Sequence, residues 1–132
     1  MDQKITVVAE YSDRRQICWT ASGFISLLWD EITLTIPPVD FNRMVNVLEE
    51  GVFEVNLCRI SCGQCWLMQA RPGCFYLGVK NIGFDLSLSE FLNLVRLVRE
   101  AARQLKARHG LERLLPPTAF EKETLCVTSL PH

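Results

Sequence analysis

The segments "DEITLTIPPVDFNRMVNVLEE" (residues 30–50) and "KNIGFDLSLSEFLNLVRLVRE" (residues 80–100) decide the fold, because each is a short apolar strand followed by an amphipathic helix. Placed one over the other at an offset of 50, they share the same apolar pattern. The alignment continues without a gap over residues 2–50 and 52–100, with six identities in 49 positions. Matched turn residues and matched periodicity therefore predict an internal duplication.

Each copy predicts four strands. The first strand is indicated by alternating apolar residues, at Ile5, Val7 and Ala9 in one copy and at Phe53, Val55 and Leu57 in the other. Turns, including those at Gly23 and Gly73, separate the later strands. These strands are predicted at residues 16–20, 24–29 and 31–36, and at residues 66–70, 74–79 and 81–86.

Each copy ends in a predicted helix with an apolar stripe at positions i, i+3, i+4 and i+7. The stripes are Phe41, Met44, Val45 and Leu48 in the first copy and Phe91, Leu94, Val95 and Val98 in the second. The second helix begins with Ser87 and, three residues later, Glu90, which is the pattern of a capping box. The first helix begins at Pro38, whose fixed φ suits a first helical turn.

The predicted architecture is α+β, with two tandem strand-strand-strand-strand-helix units, antiparallel strands and helices packed on the sheets. We expect one domain over residues 1–115, with the second helix extended to about residue 109 and a pseudo-twofold relating the copies. Residues 116–132 form a C-terminal tail, either a docked element or a partner-binding segment through Phe120 and Leu125.

The bulk composition restricts the class of protein. The 132 residues are 48% hydrophobic and 22% charged, which is typical of a globular domain with its own core. The net charge of −1 does not favour nucleic acid or an anionic membrane as a partner. The start of the chain matches neither a signal peptide nor a transit peptide, so we expect a cytoplasmic protein whose six cysteines are free thiols or ligands.

Four cysteines cluster in "CRISCGQCWLMQARPGC", residues 58–74. Zinc is one interpretation, because Cys62 and Cys65 form a Cys-Gly-x-Cys knuckle that Cys58 and Cys74 would complete. The alternative is a packing or turn role, since the first copy replaces all four thiols. The equivalent residues there are Val8, Ser12, Arg15 and Phe24. We expect no cofactor, and zinc is the metal that the first interpretation implies.

A basic stripe runs along the second helix, at Arg96, Arg99, Arg103, Lys106 and Arg108. It is either a surface for an acidic protein segment or a nucleic acid, or a solvated helix face. The near-neutral charge of the whole chain favours the solvated face.

No catalytic residues are predicted. The only histidines are His109, in the last turn of the second helix, and His132, so a nucleophile lacks its usual base. The three tryptophans lie in or beside predicted strands, where we expect most of them to be core. A tryptophan on the outer sheet face beside Tyr76 or Phe75 would instead anchor a protein interface.

The stretch "CFYLGVKNIGFDLSLSEFLNLVRLVREA", residues 74–101, resembles small uncharacterised bacterial proteins, cyanobacterial ones among them. In these proteins a strand ending in Asn-Ile leads into a Ser-x-x-Glu-Phe helix start. Accessory proteins of that kind assist the assembly of larger complexes, and the resemblance assigns no functional residue. The expected function is a non-catalytic protein-binding module, as an adaptor or assembly chaperone, and its partner is another protein or a second copy as a homodimer. The alternative is a zinc-supported regulatory or nucleic-acid-binding protein that uses the cysteines and the basic stripe.

Overall fold

The chain is an α+β protein in which a four-strand-and-helix pattern occurs twice, as the duplication predicts. The structure is a computed structural model that describes residues 5–53, 57–109 and 121–124. Within these ranges it describes the side chains except at positions 53, 57, 58, 70, 109 and 121–124.

The first copy forms a four-stranded antiparallel sheet whose strands follow chain order, and then a helix. Its elements are β1 (Ile5–Ser12), β2 (Arg15–Thr20), β3 (Ile25–Trp29), β4 (Ile32–Ile36) and α1 (Pro38–Phe53). The second copy repeats this order. Its elements are β5 (Leu57–Cys62), β6 (Cys65–Arg71), β7 (Cys74–Val79), β8 (Ile82–Ser87) and α2 (Leu88–His109).

A ninth strand, β9 (Glu121–Thr124), pairs antiparallel with β5 and extends the second sheet to the order β8-β7-β6-β5-β9. This strand belongs to the predicted C-terminal tail, so residues 121–124 are a docked element. Phe120 and Leu125, the predicted partner contacts of the tail, lie outside the described residues.

Equivalent residues form the core row of each sheet. In the first sheet the register aligns buried Ile17, Leu27 and Leu34. In the second sheet it aligns buried Ile60, Leu67, Leu77 and Phe84. The three residues of the first row lie 50 positions before the last three of the second row, so the copies bury the same face.

Backbone conformation also repeats at the same offset. Gly23 and Gly73 both have a positive φ, of 91° and 80°. Asp30 and Lys80, which join the third strand to the fourth in each copy, have φ values of 56° and 58°. Because non-glycine residues seldom adopt positive φ, this second match supports the duplication independently of side-chain identity.

The first strand is present as predicted, but its alternating apolar residues do not share one buried face. Ile5 and Val7 are 61% and 45% exposed, whereas Val8 is 5% exposed and Ala9 is also buried. The reason is a β-bulge between Val7 and Ala9, where Val8 has no opposite residue on β2. A bulge inserts one extra residue and shifts the alternation of faces, so Ile5 and Val7 lie on the face opposite that of Ala9.

The corresponding prediction in the second copy is also corrected. Phe53 lies in α1, not in a strand, because the helix continues past Glu50. The strand begins at Leu57, and Val55 lies outside the described residues.

The described residues group into two compact units, and each unit combines the sheet of one copy with most of the helix of the other. One unit contains residues 5–42 and 93–109, and therefore β1 to β4 with most of α2. The other contains residues 43–53, 57–92 and 121–124. The single domain over residues 1–115 and its pseudo-twofold stay predictions.

Contacts in the second unit show how its helical residues cover the sheet. A Cβ atom on Gly51 of α1 would overlap the side chain of Leu67 on β6, so helix and strand approach closely there. At the start of α2, Phe91 stacks on Phe75 of β7 with ring centroids 4.2 Å apart. These contacts close the core face of the second sheet.

Neither of the described helices is long and apolar enough to span a membrane.

Candidate protein-binding surface

The face of the second sheet opposite its core row carries two stacked aromatic side chains. Trp66 on β6 and Tyr76 on β7 have ring centroids 5.1 Å apart and planes inclined by 9°. Trp66 precedes the buried core residue Leu67, and successive side chains of a strand point to opposite faces. Trp66 is thus a tryptophan on the outer sheet face beside Tyr76, the arrangement expected of an interface anchor, and both side chains are half-buried.

Two glycines make room for these rings. Gly78 lies opposite Trp66 in the register, and Gly83 lies opposite Gly78 on β8. A Cβ atom on Gly78 would overlap the indole of Trp66, and one on Gly83 would overlap the phenol end of Tyr76. The rings therefore lean across the neighbouring strands and do not stand upright from the sheet.

Three polar or flexible side chains complete this surface. The guanidinium of Arg59, on β5, lies 4.9 Å from the centroid of Trp66, within the range of a cation–π contact. The register places Arg59, Met68, Tyr76 and Asp85 in one row across four strands. We call the set Arg59, Trp66, Met68, Tyr76 and Asp85 the aromatic face.

The first sheet has no such surface at the equivalent positions. There, Trp66 and Tyr76 are replaced by Gln16 and Ser26, which make hydrogen bonds to neighbouring polar side chains. The glycines are replaced as well, by Leu28 and Thr33. Aromatic rings and the glycines beneath them thus occur together in one copy, while the core rows are apolar in both.

A groove of about 580 Å³ adjoins the aromatic face. It lies around the β6–β7 turn and the start of α2, and Asp85 belongs to both the groove and the face. Arg71 and Glu90 also line it, so acidic and basic groups are both present. The aromatic face is thus bordered by a concavity lined by both charged and apolar residues.

The cysteine knuckle is part of the core. Cys62 and Cys65 lie opposite each other at the ends of β5 and β6, with Gly63 at φ 65° in the turn between them. They are 8% and 2% exposed. Alternation along the two strands puts them on the same face as buried Ile60 and Leu67. Both side chains thus belong to the core of the second sheet.

The other candidate ligands do not join this pair. Cys74 begins β7, whereas Cys65 pairs with Val79 at the other end of that strand, about 16 Å away at the usual rise per residue. Cys74 is half-buried and accepts a hydrogen bond from Nε of Arg71, 3.4 Å from its sulfur. The side chain of Cys58 is outside the described part. Among the described side chains, no group of three or more potential ligands is placed to hold a metal ion.

The basic stripe is exposed, which both of its interpretations require. Arg96, Arg99, Arg103 and Lys106 all lie on the outside of α2. Arg103 is bound to Glu100, its Nε and Nη2 donating to the two carboxylate oxygens at 3.2 and 2.6 Å. This hydrogen bonding lowers the pKa of Glu100, so the carboxylate stays charged and offsets part of the stripe.

The other two tryptophans, which were expected to be mostly core, both lie in the first copy. Trp29 is buried, and the guanidinium of Arg15 lies 4.1 Å from its ring centroid. Trp19 is half-buried. The side chains of both histidines lie beyond the described residues.

Sequence reasoning named Trp66 and Tyr76 but missed Arg59, Gly78 and Gly83. The available signal was the pair of glycines, at strand positions where the first copy has Leu28 and Thr33. Interpreting that signal requires the strand register, because only the register places Gly78 and Gly83 in line with Trp66.

Searches against protein-family models, curated proteins and solved structures each found no match.

Proposed function

We propose that the chain is a non-catalytic protein-binding module of the cytoplasm, an adaptor or assembly chaperone, and that it binds its partner through the aromatic face. The single observation that carries this proposal is the Trp66–Tyr76 stack on the outer face of the second sheet. Large aromatic side chains outside the core are the anchors of protein interfaces, because they bury much area at low entropic cost.

The composition of the aromatic face supports the proposal. Tryptophan, tyrosine, methionine and arginine are the residue types enriched at protein interfaces relative to the rest of a protein surface. Trp66, Tyr76, Met68 and Arg59 supply one of each. Arg59 also holds its guanidinium 4.9 Å from the indole centroid, so the face combines a positive charge with its aromatic pair.

The comparison between the copies gives a second argument. The first sheet reaches the same architecture with Gln16 and Ser26 in place of the aromatic pair. Folding therefore does not require aromatic residues at these positions. The resemblance of residues 74–101 to bacterial accessory proteins adds support for the assembly-chaperone form of the proposal.

Affinity capture with quantitative mass spectrometry tests the proposal, using the tagged full chain in extracts of the source organism. Any protein captured by the wild type is then purified and its dissociation constant measured by calorimetry. We expect Trp66→Ala to weaken that binding by about 2 kcal/mol, or roughly 30-fold, as for an interface hot spot.

The matched control is Phe24→Ala, which removes an aromatic ring that is 43% exposed on the first copy. Circular dichroism confirms that both variants are folded. Equal affinity of Trp66→Ala and wild type for a directly binding partner contradicts the proposal. So does an equal loss with Phe24→Ala, because the effect is then not specific to the aromatic face.

A further inference from the structure

Strand β1 is an edge of the first sheet with exposed apolar side chains. Among the described residues it pairs with β2 alone. Ile5 is 61% exposed and Val7 is 45% exposed, although both belong to the strand. An edge with unpaired backbone groups and apolar side chains is a template for another strand.

The equivalent edge in the second copy already has such a strand. Strand β5, which corresponds to β1, pairs antiparallel with β9. Its register to β9 shifts between Leu57 and Arg59, at the position that corresponds to the bulge at Val8. A bulge at this position is therefore compatible with strand addition. Three of the four residues of β9 are charged, so the edge strand of the second sheet is polar. The corresponding edge of the first sheet, β1, begins instead with uncharged residues.

We propose that β1 pairs antiparallel with β1 of a second copy of this chain. An antiparallel pair of identical strands has the twofold symmetry of a closed dimer, so each copy supplies the same surface. With Thr6 facing Thr6 across the twofold axis, Ile5 of each copy lies opposite Val7 of the other. This register uses the regular part of β1 before the bulge and pairs Ile5 and Val7, which are both exposed apolar residues.

The chemistry of β1 favours a second copy as the occupant. Residues 5–9, "ITVVA", carry no charge, so two copies do not repel each other there. Cross-strand pairs of β-branched residues stabilise antiparallel strands. A pairing of this length buries less than a standard interface, so we expect a dissociation constant in the micromolar range or weaker. The proposal uses a different sheet from the aromatic face and does not depend on it.

Sedimentation velocity of the purified full chain, over about a hundredfold range of micromolar concentrations, tests this proposal. The wild type should shift from monomer towards dimer as concentration rises. Val7→Lys should raise the dimer dissociation constant at least about tenfold, because the exposed edge then carries a solvated charge on each copy. Hydrogen exchange should show amides of residues 5–7 more protected at high concentration in the wild type.

Leu92→Lys is the matched control, since it makes the same kind of change at a helical residue that is 47% exposed. It should dimerise like the wild type. A wild type that stays monomeric overturns the proposal, and a different protein is then the expected partner of β1. A dimer that survives Val7→Lys unchanged, or one without concentration-dependent protection of residues 5–7, overturns it as well. Ile5→Lys gives the same test if Val7→Lys does not fold.

Discussion

Gly78 lies opposite Trp66 in the register of β6 and β7, and a Cβ atom at position 78 would overlap three atoms of the indole ring. The indole therefore occupies the space that a side chain at position 78 would need. This relationship explains how a bulky ring lies low on an outer sheet face and still stacks on Tyr76.

Gly78→Ala should displace Trp66 from its stack. We expect the free energy of unfolding to fall by about 1–2 kcal/mol, since overpacking outweighs the gain from replacing a strand glycine. Urea unfolding measures the loss, and near-ultraviolet circular dichroism reports the displaced indole. Gly83→Ala is the control, because the overlapped atoms there are at the end of the Tyr76 side chain, which turns aside at smaller cost. Equal stability and an unchanged aromatic spectrum in Gly78→Ala would contradict this explanation.

Asp30→Asn should destabilise the protein at neutral pH but not in acid. Nε and Nη2 of Arg15 donate to the two carboxylate oxygens of Asp30 at 2.9 and 2.8 Å, and this hydrogen bonding lowers the pKa of Asp30 below its ordinary value. A carboxylate with a lowered pKa stabilises the folded state above its unfolded pKa, and that contribution disappears as the pH falls through the folded value. Because Asp30 is 45% exposed, the difference at pH 7 should be about 1 kcal/mol or less.

Urea midpoints of wild type and Asp30→Asn at several pH values test this prediction. Asparagine tolerates the positive φ at this position, so the substitution removes charge without backbone strain. A stability difference that is the same at pH 7 and well below the unfolded pKa would mean that the charge of Asp30 is not its cause.

The helices and the repeat were predictable from the sequence because their signals are local. The capping box was recognised from residue spacing, and the structure contains both of its hydrogen bonds: Ser87 N donates to Glu90 Oε1, and Glu90 N donates to Ser87 Oγ. The apolar stripe of each helix depends likewise on a fixed period along the chain.

The face of β1 and the aromatic face depend on strand register, which is not local. The bulge at Val8 reverses the orientation that strict alternation assigns to Ile5 and Val7. The support of Trp66 by Gly78 is visible only when β6 and β7 are paired. For the turn cysteines the sequence left packing and metal ligation as alternatives, since the first copy has Ser12 and Arg15 there, which indicate a polar turn.

Ser87→Ala should destabilise the protein through the start of α2. The substitution leaves the amide of Glu90 without its hydroxyl acceptor, which costs about 0.5–2 kcal/mol of unfolding free energy. Thermal or urea unfolding measures the loss. The control is Ser89→Ala, at the second residue of α2, and it should lower the free energy of unfolding by less. Equal losses in the two variants would argue against the capping contribution.

The cysteines should differ in their reaction with iodoacetamide in the native protein. Cys62 and Cys65 should be protected because both are buried. Cys74, at the start of β7, should react because its side chain is partly accessible to the reagent. Cys18 should react more slowly than Cys74 near pH 8, because burial, and secondarily the charge of Glu10, raise the pKa of Cys18 and reduce its thiolate fraction.

Peptide mass spectrometry after timed alkylation gives the rate at each thiol, and the denatured chain supplies the reference. The protection of Cys62 and Cys65 should be the same with and without a zinc chelator, because core packing and not metal ligation shields them. Protection that disappears on chelation, together with stoichiometric zinc in the untreated protein, would instead establish the knuckle as a metal site.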